Sequence, residues 1–439
     1  MSIADPPIAP GPAADDPARV RTALLASLVG TTIEWYDFFL YATAASLVFN
    51  QAFFPDQSSL VGTLLSFATF AVGFLVRPIG GFVFGHVGDR IGRKRTLALT
   101  MFLMGGATAM MGLLPTAAQI GILAPILLLL LRMVQGFALG GEWAGAVLLA
   151  VEHSPAKRRG FAGSIPQVGL ALGLALGTGV FALLQVLLPD DAFQTYGWRI
   201  AFLASIVLVV FGVVVRLKAS ETPSFEKVRD ADDRSAVPVK EIFRPPVLKT
   251  TVLGMLSRWG EGAAFNTWGV FAISYATNTL HLQKVPVLVA VTASALLMAV
   301  LLPVSGRLVD RYGARLIYGT GIAAYAVAVF PVFALFNTGS MVAYTVAMLL
   351  VFGVVHAWFY GAQGTLYASL FPARIRYTGL STVYQLSGVY ASGLTPLILT
   401  ALIAAAGGSP WLACGYLVAT ALVSVVATWL LRPQPLSEI

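Results

Sequence analysis

Charged side chains sit inside stretches of this sequence that are otherwise apolar: Glu34, Asp37, Arg77, Arg132, Glu142, Arg258 and Glu261. An ionised group at mid-bilayer costs roughly 2.5–3.5 kcal/mol on insertion scales. A chain that keeps several must therefore give them partners or a wet cavity. Two kinds of chemistry follow from the residue types. A buried carboxylate has its proton affinity raised by desolvation and lowered by a nearby cation, so it can take up and release a proton. A guanidinium is a planar fork that can grip a carboxylate through two hydrogen bonds.

The spacing arranges these residues in stripes. Glu34 and Asp37 are three apart and share a helical face, which Tyr41 extends. Arg132, Gln135 and Glu142 fall within about an 80° sector at about 100° per residue. Arg258, Glu261, Phe265 and Trp268 form a third stripe, and His356, Tyr360, Gln363 and Tyr367 a fourth. Ser381, Gln385, Gly388 and Ser392 form a fifth. Trp35, Tyr41, Trp143, Trp259, Trp268, Tyr360 and Tyr384 are aromatic candidates to line a cavity, where they would suit an aromatic ring or a quaternary ammonium. Each could equally be packing or an interface anchor. His356 can carry a proton or donate a hydrogen bond. Arg77, before Pro78 and Gly80-Gly81, reads as a snorkelling or structural charge.

The elements that position these residues must be membrane helices. The 439 residues are 57% hydrophobic and 11% charged, against roughly 25% charged in soluble proteins. A spanning helix needs about 20 mostly apolar residues, and in lipid such a run must be helical to satisfy its backbone. Twelve spans are expected, near 21–49, 58–85, 95–114, 120–151, 158–188, 197–217, 248–279, 286–309, 315–336, 340–370, 375–405 and 410–431. The expected organisation is a disordered cytoplasmic tail (1–18), a six-helix bundle (19–217), a polar linker (218–247), a second six-helix bundle (248–432) and a short tail (433–439). Lys and Arg concentrate in the loops and tails that are cytoplasmic when the N-terminus is inside. That asymmetry accounts for the net charge of +8 as topology, with no nucleic-acid partner. The first segment lacks the basic start and apolar core of a signal peptide. The lone Cys414 and four scattered histidines suggest neither disulfide nor metal nor cofactor. No nucleophile–base arrangement or phosphate loop suggests an enzyme.

The halves repeat each other. Gly85, Asp89, Arg90, Gly92, Arg93 and Lys94 follow the second span; Gly306, Asp310, Arg311, Gly313, Ala314 and Arg315 follow the eighth. Pro155 and Arg159 after the fourth span match Pro372 and Arg376 after the tenth. Parallel repeats are a transporter signature, with the substrate site where they meet near the midplane.

These features resemble the major facilitator superfamily. The stretch GHVGDRIGRKR (85–95) is similar to its signature loop and RMVQG (132–136) to its fourth-span motif. EWYDFFLY (34–41), GGEWAGA (140–146), RRGFAGS (158–164), WRIAFL (198–203) and ETPSF (221–225) resemble the metabolite:proton symporter family within it. RWGEGAAFNTW (258–268) is closest to that family's shikimate-like branch. The resemblance implies an all-α membrane protein of twelve transmembrane helices in two pseudo-symmetric six-helix halves, with spans 1, 4, 7 and 10 around a central cavity. It implies a monomer in the inner membrane, with both termini cytoplasmic, that imports a small organic anion with protons by alternating access. The family also imports betaines, and export of a small metabolite is a further alternative. By analogy with sugar–proton symporters of the superfamily, Asp37 and Arg132 are expected as the coupling pair, with Glu34 and Glu142 as competitors. A static ion pair is the plainer reading. Arg132, Gln135, Arg258, Glu261, Tyr41, Trp268, His356, Tyr360, Gln363 and Gln385 are expected around the substrate. A cytoplasmic gate is expected from Gly85, Asp89, Arg90, Arg93 and Glu152, with Asp89 at the N-terminus of span 11, and a weaker copy from Asp310 and Arg311.

Overall fold

The structure is a computed structural model that describes residues 17–91, 93–218, 241–245, 247–372 and 375–435, with the side chains of 17–19, 85–97, 141 and 215–218 excepted. The apolar runs form helical columns, as backbone satisfaction in lipid requires. In chain order they are α1 (Pro17–Leu47), α2 (Ser59–Ile91), α3 (Arg93–Leu113), α4 (Leu123–Glu152), α5 (Arg159–Leu187) and α6 (Trp198–Lys218). The second set is α7 (247–279), α8 (Lys284–Tyr312), α9 (Ala314–Phe336), α10 (Met341–Ala368), α11 (Arg376–Ala405) and α12 (Trp411–Leu430). No strand occurs among the described residues. Among the described residues, nine of the columns are long and apolar enough to cross a membrane by length and composition. The others are α1, with Glu34 and Asp37; α7, with Arg258 and Glu261; and α3, whose apolar part is the shorter Ala98–Leu113. The first two are where the bilayer-crossing signal is diluted by charge.

Each half packs on itself: α1 on α5, α2 on α4 and α3 on α6 in the first, α8 on α10, α9 on α10 and α12, and α7 on α12 in the second. The halves meet along α5–α8, α5–α10 and α2–α11. The α5–α8 crossing needs glycine. A Cβ on Gly306 would stand 2.7 Å from Ser164 Oγ and 2.8 Å from the Gly160 carbonyl oxygen, too close for any side chain to be tolerated without a shift.

Several columns are irregular, and the irregularities matter for the site. The α4 column passes through a 3₁₀ turn at Leu139–Gly141. The α7 column breaks between Val247–Ser257 and Trp259–Asn266, then takes π-helical turns at Thr267–Phe271 and Tyr275–Thr279. The α10 and α11 columns carry π-helical segments at Leu349–Val355 and Val389–Gly393. Such turns shift every later side chain around the axis, and they occur frequently at functional sites.

The halves touch at both ends. At the end where α1 begins and α12 finishes, called the terminus end below and marked by Ser27 donating to the Ala146 carbonyl (3.3 Å) and the Gln434 amide to that of Ser369 (2.8 Å), α4 meets α11 and α8 meets α5. Toward the far end, the Thr178 and Thr292 hydroxyls meet at 2.7 Å and Ser46 donates to the Val270 carbonyl at 3.3 Å. The linker expected at 218–247 lies mostly outside the described residues.

Candidate functional site

Two small cavities of about 10 Å³ each lie between the halves. Trp35 of α1 and Tyr384 of α11 line both. The first also has Glu34, Arg77, Glu142, Trp143 and Gln385 on its wall. The second has Arg258, Glu261, Phe265, Asn266, Tyr360 and Ser392. Tyr384 divides them: its ring stacks on Trp143 of the opposite half at 3.8 Å and 15°, and the Arg258 guanidinium sits 3.8 Å from its centroid. Gln385 next to it donates across the halves to the Gly140 carbonyl at 2.6 Å, inside the 3₁₀ turn of α4.

The two cavity arginines differ in how fully they are used. Arg258 Nε pairs with Glu261 Oε2 at 3.4 Å, and its Nη1 donates to the Tyr384 carbonyl (3.2 Å) and Ser387 Oγ (3.1 Å). Gln363 Nε2 donates to the same Glu261 oxygen at 3.1 Å. The neutralising i, i+3 pair is thus what forms. Arg77 is equally buried, but its Nε and Nη2 find no acceptor among the described residues. Its guanidinium lies over Phe74 (4.1 Å) and Phe38 (4.6 Å), which hold it by cation–π attraction and packing.

Arg132 and Gln135 point into the first half instead. The Arg132 guanidinium packs over Tyr41 (4.2 Å) and Phe38 (4.6 Å) and donates to Gln135 Oε1. Gln135 Nε2 reaches Thr108 Oγ1 at 2.9 Å and the Asp37 carbonyl at 3.4 Å. Asp37 is fully buried and faces the Thr108 and Ser205 hydroxyls, with neither carboxylate oxygen closing a hydrogen bond. Among the described residues no ion pair joins Asp37 to Arg132; Gln135 links them. Tyr41 donates to Thr69 Oγ1 at 2.7 Å. Neither Asp37, Arg132, Gln135 nor Tyr41 lines either of these two cavities.

Two stripes come apart for a local reason. The sector expected to unite Arg132, Gln135 and Glu142 assumes a continuous helix, and the 3₁₀ turn between them sends Glu142 to the interface beside Arg77. Trp268 opens the π-helical stretch of α7 and packs against Phe333, Phe336 and Tyr325 in the second half, away from both cavities. On α10, Tyr360 lines the second cavity. His356, one turn earlier, is enclosed by Phe265, Phe352, Phe359 and Tyr360, and neither ring nitrogen has a hydrogen-bond partner.

At the terminus end, Glu152 Oε1 and Arg376 Nη1 form an inter-half ion pair at 3.2 Å. Asp310 of α8 accepts from the Gly160 amide (2.6 Å) and the Phe161 amide (3.0 Å), so it caps the first turn of α5 across the interface. Thr365 Oγ1 donates to the Arg159 carbonyl at 3.1 Å. Arg311 lies over its neighbour Tyr312 at 5.1 Å. The side chains expected at Gly85, Asp89, Arg90 and Arg93 lie outside the described residues. Sequence reasoning passed over two residues. Asn266 had no stripe to mark it, and Arg77 was set aside as structural, although its place on an apolar run was the available signal.

Comparison with known proteins agrees with this architecture. Residues 22–241 match the family model described as Sugar (and other) transporter, and residues 260–439 match that of the Major Facilitator Superfamily. The shikimate transporter of Escherichia coli K12 is 39% identical over 418 residues, covering 94% of this chain and 95% of the relative. An inner membrane metabolite transport protein of the same organism is 40% identical over 382 residues, covering 85% and 86%. Its proline/betaine transporter is 34% identical over 400 residues, covering 88% and 79%. The xylose transporter XylE from E. coli, in a partially occluded inward open conformation, superposes with a TM-score of 0.74 at 16% identity, covering 95% of this chain and 98% of that one; that likeness is one of fold.

Proposed function

This membrane transporter belongs to the major facilitator superfamily, and from that premise we propose that it is a proton-coupled symporter importing a small organic acid by alternating access. The observation that carries the reading is Arg77: a buried guanidinium with two unmet N–H directions, on the wall of a cavity between the halves. A carboxylate is the acceptor whose geometry and charge fit it. Arg258, spent on Glu261, Tyr384 and Ser387, is the poorer candidate for that grip.

Proton coupling follows from counting charge. The wall of the first cavity carries two carboxylates, Glu34 and Glu142, beside Arg77. An arriving carboxylate adds a third negative charge in a poorly screened space, where like charges disfavour one another strongly. Protonation of one glutamate offsets it, so substrate and proton are held best together. The Lys and Arg distribution supports cytoplasmic termini, and the inner-membrane relative supports an inner-membrane location. A second reading, a betaine or other zwitterion with protons, draws on the aromatic walls of Trp35, Trp143 and Tyr384, which suit a quaternary ammonium, and on the proline/betaine relative.

The test uses purified protein in liposomes loaded with a pH-sensitive dye. Addition of a carboxylate substrate should acidify the interior along with uptake. Arg77→Gln should weaken apparent affinity on the order of 10- to 100-fold, since hydrogen bonds to a charged group contribute about 1.5–3 kcal/mol. Glu34→Gln or Glu142→Gln should retain substrate exchange while losing uphill uptake. Uptake of an acid with no accompanying acidification would refute symport, and acidification by betaine alone would favour the second reading.

A further inference from the structure

Each of the two cavities leaves hydrogen-bonding capacity unmet in its wall. The first offers donors, Nε and Nη2 of Arg77. The second offers an acceptor. Asn266 is 4% exposed and lines that cavity. Its Nδ2 donates to the Gly262 carbonyl one turn back at 3.0 Å, which fixes the orientation of the amide. Its Oδ1 is left buried with no hydrogen-bond partner among the described residues. The charged groups nearby do not fill that vacancy, because Glu261 is turned to Arg258 and Gln363, and a carboxylate cannot donate. A buried acceptor left unmet is costly, so its presence in the wall of a cavity points to a ligand group that donates.

We propose that Asn266 is a specificity-determining residue that accepts a hydrogen bond from a hydroxyl or ammonium at the end of the substrate remote from its carboxylate. This rests on the carboxylate lying at Arg77. Trp35 and Tyr384, common to both cavities, then flank the body of the molecule. The class selected is a short acid carrying a donor. A dicarboxylate is rejected, because its second carboxylate would face Asn266 Oδ1 and the Glu261 carboxylate together. A fully methylated ammonium is rejected at the same point, since it has no N–H to give.

The experiment is equilibrium binding to the full chain in detergent, followed by tryptophan fluorescence with no proton gradient, so that a failure of proton coupling does not affect it. The probes are 3- and 4-hydroxy, methoxy, aminomethyl, trimethylammoniomethyl and carboxy derivatives of benzoate and of cyclohexanecarboxylate. In the natural chain the best hydroxylated acid should bind about tenfold or more tighter than its O-methyl partner, as the penalty for an unpaired buried group implies. Asn266→Leu should bring that ratio to within about twofold; the ratio is read within one variant, so loss of folded protein cancels. Asn266→Asp should keep the hydroxyl preference and favour aminomethyl over hydroxyl, which carries the test if the Leu variant does not fold. Equal binding of hydroxyl and methoxy acids, a ratio unmoved by either substitution, or no binding by any donor-bearing acid overturns the proposal. Hydroxyl preference that persists in Arg77→Gln with affinity unchanged would instead overturn the carboxylate assignment on which it rests.

Discussion

At the scale of single residues, identical side chains have different employment, and burial alone does not separate them. Arg77, Arg132 and Arg258 are all nearly inaccessible. Arg77 faces the first cavity, Arg132 donates to Gln135 inside the first half, and Arg258 holds an ion pair and two further acceptors, while each keeps at least one N–H direction with no hydrogen-bond acceptor among the described residues. Helical spacing gave their elements, but unmet valence is a property of the packed structure. Asp37 illustrates the same point. Three residues from Glu34, it is turned about 60° around the axis, enough to leave Glu34 at the cavity and send Asp37 toward Thr108 and Ser205. Asp37→Asn is therefore expected to preserve pH-gradient-dependent uptake, with any loss appearing in maximal rate through the Gln135 network. Comparing uptake with and without an inward gradient checks this. If the variant lost gradient dependence and Glu34→Gln and Glu142→Gln kept it, Asp37 would regain the coupling role.

At the scale of elements, what the sequence shows and what it hides divide along helix regularity. Stripes that cross no 3₁₀ or π turn were legible. Arg258, Glu261 and Phe265 do share a cavity, and Gln363 does reach Glu261 from α10. Stripes that cross a 3₁₀ or π turn were not, because an azimuth computed at 100° per residue goes wrong after a turn of different pitch; Glu142 and Trp268 are the cases. The repeated Gly–Asp–Arg loops were legible as a repeat, and Asp310 shows what one copy does. Its carboxylate caps α5 of the opposite half, where the helix dipole and free amides favour a negative charge. Ser369 stands where Glu152 would correspond, and Glu152 pairs with Arg376 across the interface. Losing a cap costs about 0.5–2 kcal/mol. Asp310→Ala should accordingly raise the population open at the terminus end by roughly 2- to 30-fold. Alkylation of Thr365→Cys at that interface is the readout, in a chain whose one native thiol, Cys414, is buried. Unchanged labelling would mean that the cap does not hold that end closed.

At the scale of the whole molecule, the contacts describe a state shut at both ends, with the cavities enclosed between. Glu152–Arg376 and Asp310 hold the terminus end; Thr178–Thr292 and Ser46–Val270 lie toward the other. Interfaces of this kind are bistable, not continuously deformable, so transport by rocking halves requires each set to break in turn. The far-end contact gives the sharper test. The Thr178 and Thr292 hydroxyls, on α5 and α8, are 2.7 Å apart, which brings the two β-carbons within reach of a disulfide or a short bifunctional reagent. In Thr178→Cys, Thr292→Cys protein, oxidation should reduce uptake to near background and a reductant should restore it. Either single substitution should be insensitive to oxidant. Binding of a carboxylate ligand should persist in the cross-linked form, because Arg77 lies between the closed end and the end that can still open. Full uptake with the cross-link in place would mean that α5 and α8 do not separate there during the cycle, and that a local gate admits substrate while the halves stay together.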